Sequence, residues 1–236
     1  MKKTFLLLTA ILLMSGSIFA QKFDFSIGPK FGYQTANLSY KKADIDAGFK
    51  NHFTLGAFGR MEIGRIYLQP EVLWFKDGNA FTLDAQNVSQ GIIPQEHVTV
   101  TWNAMNLQVP ILVGIKVFDI NIVALRAQVG PTANFMIGGK PIYDETFTIT
   151  PQEGGEPITI HEGDQAFDPK TIAWGLQAGL GCDVIGKITL DINYNFGLSK
   201  VFKPLNDTGL GQYFNFDNID NTKQSMFMVT VGYKFL

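Results

Sequence analysis

The sequence predicts an all-β protein, an eight-stranded antiparallel up-and-down transmembrane β-barrel with short periplasmic turns and long extracellular loops. Three observations predict it. Apolar and polar residues alternate with a period of two in eight separate stretches. The connections between those stretches alternate between tight turns and long loops. The polar side of the stretches is rich in glycine and poor in charge, as a narrow barrel interior requires.

The chain of 236 residues opens MKKTFLLLTAILLMSGSIFAQ. Lys2 and Lys3 form a basic start, and Phe5 to Met14 is an apolar run too short for an ordinary membrane-spanning helix. Ile18-Phe19-Ala20 then offers a cleavage site. Residues 1–20 are expected to be a secretory signal peptide and residues 21–236 the barrel domain. Loss of the two lysines takes the formal net charge from −2 to −4, which points to no nucleic-acid partner. The single cysteine, Cys182, admits no internal disulfide and is expected to be a small buried hydrophobe.

The first strand is Phe23–Tyr33, with Phe23, Phe25, Ile27, Phe31 and Tyr33 against Asp24, Ser26, Gly28, Lys30 and Gly32. Phe53–Met61 and Ile66–Trp74 follow around a tight turn at Glu62–Arg65. Leu107–Ile115 and Val123–Ile137 flank a second turn placed at Val117–Asp119. Upstream of Leu107, over Val98–Asn106, the apolar phase is lost and a bulge is expected. Thr171–Val184 and Thr189–Ser199 flank a third turn at Ile185–Lys187, and Phe227–Phe235 closes the chain. The remaining connections, 34–52, 77–97, 138–170 and 201–224, are long and are assigned to the outside.

A soluble barrel and a membrane barrel share this alternation but face opposite ways. Gly28, Gly32, Gly56, Gly130, Gly175, Gly179, Gly181 and Gly197 all fall on the polar side. A solvated face would more often carry Lys and Glu. The charges on that side are of both signs, and Arg60 and Arg126 are expected to meet Glu71 and Asp191 in a lumen polar network. Strands of about twelve residues at ~3.3 Å, tilted near 40°, are tall enough to cross an outer membrane. Phe23, Tyr33, Trp74, Phe135, Trp174, Tyr233 and Phe235 lie toward strand ends, where aromatic girdles are expected.

The residues carry no HExxH, Cys/His cluster or GxSxG signature, so no catalytic residue, metal site or cofactor is expected. "GLQAGLG" at Gly175–Gly181 sits inside a strand with no helix after it and is read as lumen packing, not as a nucleotide loop. His52, on the lumen phase near the external rim, would act as a general base only with a nearby serine and carboxylate. The loop 138–170 is acidic and reads as two strand arms, Thr146–Thr150 and Pro157–His161, around a PQEGGE turn. A solvated surface or a divalent-cation or partner site would each account for its charge. In the last loop Tyr213, Phe214 and Phe216 would form either an exposed contact patch or a cluster packed onto the barrel rim.

"LQPEVLW" (Leu68–Trp74), "NLQVPILVGIKV" (Asn106–Val117), "VGPTANFMIGGK" (Val129–Lys140), "LDINYNFGLS" (Leu190–Ser199) and "VGYKFL" (Val231–Leu236) together resemble the PorT-like family of outer-membrane β-barrels. The resemblance implies an eight-stranded barrel in a Gram-negative outer membrane. One branch of that family is linked to type IX secretion and gliding, and the motifs here belong to the wider family. Such barrels usually end on an aromatic residue read by the outer-membrane assembly machinery; here Phe235 is penultimate and Leu236 is last.

The expected function is that of a non-enzymatic integral protein of the outer membrane. Its lumen would be packed and its binding or structural role carried by extracellular loops. Its partners would be outer-membrane lipid, the assembly machinery and an unidentified protein. The alternatives are an accessory component of a type IX-like secretion apparatus, a lipid-modifying enzyme, and an exported soluble calycin-like barrel.

Overall fold

The computed structural model describes residues 23–39, 50–84, 97–120, 122–149, 158–165, 170–201 and 223–235. Eleven strands follow in chain order: β1 (Phe23–Ser39), β2 (Lys50–Ile63), β3 (Ile66–Asp84), β4 (His97–Ile120), β5 (Val123–Gly138), β6 (Pro141–Tyr143), β7 (Phe147–Ile149), β8 (Ile158–Ile160), β9 (Ile172–Val184), β10 (Ile188–Gly197) and β11 (Lys223–Tyr233). The eight long ones pair in the order β3-β2-β1-β11-β10-β9-β5-β4, and β3–β4 pairing closes the cylinder. Every pairing is antiparallel, and the first and last long strands meet at a β1–β11 seam running from Lys30↔Gly232 to Ser39↔Lys223. Closure leaves no free sheet edge inside the bilayer, which is the condition for a sheet to span one.

The barrel is inside out relative to a soluble one. On β10, Leu190, Ile192, Tyr194 and Phe196 are exposed, while Thr189, Asp191, Asn193 and Asn195 are buried. On β1, Phe25, Ile27, Phe31 and Tyr33 face out and Ser26, Lys30 and Gln34 face in. This arrangement removes the calycin-like alternative, because water would meet every large apolar side chain. The outward apolar row on β1 runs from Phe23 to Tyr33. Ten steps at ~3.3 Å with a tilt of about 40° give roughly 25 Å, the height of an outer-membrane apolar band.

Several boundaries differ from the sequence reading. The turn expected at Val117–Asp119 is strand, and β4 continues to Ile120. A register shift between Lys116 and Phe118 inserts one residue, so that Phe118 pairs with Leu125 and Ile120 with Val123. The bulge thereby keeps Phe118 and Ile120 on the lipid side, where both are exposed. A second shift, between Met105 and Asn106, supplies the bulge that the lost phase around Val98–Asn106 implied. Cys182 is half-buried on the lipid-facing side, not in an interior.

The assigned loops 34–52 and 77–97 shrink. β1 runs on to Ser39, β2 begins at Lys50, and β3 and β4 extend to Asp84 and from His97 as a long paired arm. Above the bilayer both faces of a strand meet water, so hydropathy stops alternating although the ladder continues. Prolines leave local gaps instead. The β2–β3 register skips from Phe58↔Glu71 to Met61↔Leu68 beside Pro70, and the β4–β5 register skips from Pro110↔Thr132 to Val113↔Val129.

Candidate functional site

The lumen is filled by charged side chains in its periplasmic half. Arg60 comes from β2, Arg126 from β5, Asp183 from β9, Asp191 from β10, and Lys30 and Glu71 from β1 and β3; all are buried. Arg126 donates from Nε to Asp183 Oδ1 at 3.0 Å and from Nη2 to Asp191 Oδ1 at 2.7 Å. Arg60 donates from Nη1 to Asp183 Oδ2 at 2.7 Å and from Nε to Gln69 Oε1 at 2.5 Å. Lys30 Nζ lies 2.5 Å from Glu71 Oε1 and 2.9 Å from Asp191 Oδ2.

Of the four charges expected to form the network, Arg126 and Asp191 are in direct contact. Arg60 is not paired with Glu71. Asp183 takes the guanidinium, and Glu71 accepts from Lys30 and from Gln69 Nε2. Lys30 stands on the polar side of the first strand and Asp183 on the polar side of the Thr171–Val184 stretch, but which partner each meets depends on the stagger of the barrel. Gln69 was not expected in the network; the two-residue turn at Gly64–Arg65, shorter than the turn expected at Glu62–Arg65, brings it level with Arg60.

Tyr67 was missed as a polar member. Its ring stands between the guanidiniums of Arg60 and Arg126, 5.2 and 5.4 Å from its centroid, and attracts both through its π face. Its hydroxyl accepts from Arg126 Nη1 at 3.1 Å and donates to Gln128 Oε1 at 3.0 Å. Glycine makes the room. A methyl group at Gly114 would collide with the Tyr67 ring, and one at Gly181 with Asp191 and the Arg126 guanidinium.

Among the described residues the buried charges balance, with Lys30, Arg60, Arg126 and Lys234 against Glu62, Glu71, Asp183 and Asp191. At the periplasmic rim Lys234 reaches Asp183 at 3.0 Å and Lys116 reaches Glu62 at 2.6 Å. The external half holds amides, hydroxyls and apolar groups. Thr54 donates to Gln34 at 2.7 Å, Thr132 to Asn195 at 3.2 Å, and Leu73, Phe75, Met226 and Met228 are buried around them. A void among Thr132, Asn134, Gly175 and Asn195 measures about 10 Å³, the space of one water.

Outside the membrane, β6 extends the wall by pairing with Val100–Trp102 of β4. β7 and β8 form the hairpin expected from its two arms, with Phe147↔Ile160 and a 3.1 Å hydrogen bond between the Thr148 and Thr159 hydroxyls. Tyr143, Phe147 and Ile160 bury one another there. Asp144 accepts from Thr101 Oγ1 at 2.7 Å and Asp164 from the His161 amide at 2.9 Å. Among the described residues no group of three or more His, Cys, Asp or Glu is placed to hold a metal ion. The PQEGGE turn, Tyr213, Phe214, Phe216 and residues 1–20 lie outside the described residues.

His52 borders a pocket of about 490 Å³ with Lys76, Asn103, Ala104, Met105 and Gly139. The serine and carboxylate that a general base would need are not among its described lining residues.

The chain is similar to several solved outer-membrane proteins. The attachment invasion locus protein Ail of Yersinia pestis is 12% identical, over 90% of this chain and 99% of that one, with a TM-score of 0.42. OprG of Pseudomonas aeruginosa is 11% identical over 91% and 97%, with a TM-score of 0.44. Neisserial surface protein A is 11% identical over 91% and 100%, with a TM-score of 0.40. No curated protein matches the chain. The family model described as an outer membrane protein beta-barrel domain matches residues 19–203. With that match over most of its length and a cylinder that turns its apolar side chains to lipid, the chain belongs to the outer membrane protein β-barrel domain family and is an integral protein of that membrane.

Proposed function

We propose that the protein is a sealed, non-enzymatic barrel whose binding or structural role is carried by its extracellular surface. The observation that supports this reading is the neutral ion network closing the lumen, in which Asp183 and Asp191 hold Arg60, Arg126 and Lys30. Eight strands leave an interior only wide enough for side chains, and here those side chains are tied to one another. What remains accessible is the outer wall built by β3, β4 and β6 with the β7–β8 hairpin. Residues 1–20 act in this reading as the cleaved export leader. A place beside a secretion apparatus is the second reading; the five motifs resemble the wider PorT-like family and do not single out its secretion-linked branch.

The test is conductance of the purified, refolded protein in planar bilayers. The sealed barrel passes no steady current, and a stable open channel in the unaltered protein would refute it. A deletion strain assayed for protein export addresses the secretion role separately.

A further inference from the structure

The wall parts at its external rim. Hydrogen-bonded pairing between β2 and β3 stops at Thr54↔Phe75. Yet β2 continues to Lys50, paired with Ala36 of β1, and β3 continues to Asp84, paired with His97 of β4. Above Phe75 the two strands therefore follow different neighbours, and Phe53 and Lys76 have no ladder partner across the gap. The pocket of about 490 Å³ opens here, lined by His52, Lys76, Asn103, Ala104, Met105 and Gly139.

Two properties of this pocket indicate its ligand. The first is chemistry. Its polar groups are an ammonium, an imidazole and a primary amide, and no carboxylate is among the described lining residues. The His52 Nε2 atom is buried with no hydrogen-bond partner, a state that costs free energy unless a ligand or water meets it. Lys76 and Asn103 are exposed and able to turn toward the same space. Such a set suits an oxyanion with several acceptors. The second property is height. Lys76 stands two residues beyond Trp74 on β3, about 7 Å along the strand. Trp74, Phe53 and Tyr33 are exposed at the external end of the apolar band, with Phe53 against Tyr33 at 5.8 Å. Aromatic rows of this kind mark the boundary of the hydrocarbon, so the pocket lies at the level of outer-leaflet headgroups.

We propose that the parted β2–β3 seam binds the phosphate of a phosphorylated outer-leaflet lipid, with Lys76 and His52 on the phosphate oxygens and Met105 and Phe53 against the apolar part. The site does not depend on whether the lumen conducts.

Native mass spectrometry of the full chain, released from micelles containing phosphorylated lipid A, tests this. Parallel samples contain the dephosphorylated lipid, and a third set adds millimolar inorganic phosphate. The unaltered protein retains one phosphorylated lipid. Occupancy falls about tenfold, or roughly 1.4 kcal/mol, in a Lys76→Gln, His52→Gln double variant and with the dephosphorylated lipid. A Lys187→Gln variant at the periplasmic turn keeps full occupancy. Heat-dependent gel mobility confirms that each variant is folded. Equal occupancy in the double variant, or equal retention of the dephosphorylated lipid, overturns the proposal. Displacement of the lipid by inorganic phosphate overturns the lipid as the source.

Discussion

Lys30 and Asp191 lie 2.9 Å apart although β11 stands between their strands. Their contact crosses the lumen instead of following the sheet, and Arg126 completes it by donating to the other Asp191 oxygen at 2.7 Å. One carboxylate thus ties β1 to β5 through β10. In a cylinder whose neighbouring strands are already held by backbone ladders, such links join strands that are not neighbours in the sheet.

Replacement of Asp191 by Asn leaves Lys30 and Arg126 buried with a neutral partner. Removing one member of a buried ion cluster typically costs about 3–5 kcal/mol. The expected result is a loss of that size in reversible urea unfolding in detergent micelles, together with a lower temperature for the gel-mobility shift. Lys187→Gln on the exposed turn changes stability by no more than about 0.5 kcal/mol. An Asp191→Asn protein as stable as the parent would show that the network does not hold the barrel.

Gln108 and Gln177 give the opposite expectation. Both are fully buried, and neither the oxygen nor the nitrogen of either amide has a hydrogen-bond partner. An unpaired buried polar group costs about 1–3 kcal/mol. Gln177→Met keeps the volume and removes the desolvated amide, so it is expected to raise unfolding stability by about 1 kcal/mol. Measured beside Asp191→Asn, it separates the charged half of the lumen from the amide half. A destabilised Gln177→Met protein would mean that bound water pairs the amide.

The barrel was legible because lipid outside and a packed lumen inside impose one strict alternation wherever strands cross the bilayer. Leu190 to Phe196 shows it plainly. The same logic made the rest illegible. From Lys76 to Asp84 both faces of β3 leave the membrane, the alternation ends, and a paired strand reads as loop. Near Val117 a single inserted residue preserves the lipid-facing side but breaks the phase, and the turn was placed too early. In the network, residue types and facing were readable, while the Arg60–Asp183 pairing was not. That contact joins β2 to β9, and the stagger that brings them level arises from closing the cylinder.

Glycine positions divide into two kinds. Gly28 faces the lumen at the β1–β11 seam, and a methyl group there would strike the backbone carbonyl of Tyr233. Backbone cannot yield as a flexible side-chain end can. Gly28→Val is expected to prevent closure of the last seam and to abolish the heat-modifiable form on gels. Gly59, on the outward side, has nothing within 4 Å of an added methyl group. Gly59→Ala is expected to fold and to gain about 0.5 kcal/mol from a less flexible unfolded chain. A folded, heat-modifiable Gly28→Val protein would refute the steric account.

Tyr143, in β6 beyond the membrane, is expected to report the integrity of the external wall. Burial, with the Asp164 carboxylate adding to it, pushes its phenol up to about 12. A phenol in the unfolded loop ionises near its ordinary value of about 10. Below that value both states hold the proton, and the contribution of Tyr143 to the folded loop is intact. Between about 10 and 12 the unfolded form loses its proton first, so stability of the loop declines as pH rises through this window. Absorbance at 295 nm should show a component titrating near 12 that is absent in Tyr143→Phe, and residues 141–149 of the parent should lose protection from hydrogen exchange, relative to the intrinsic base-catalysed rate, above pH 10. A 295 nm titration of Tyr143→Phe that lacks only a component near 10 would show that β6 is not docked on β4.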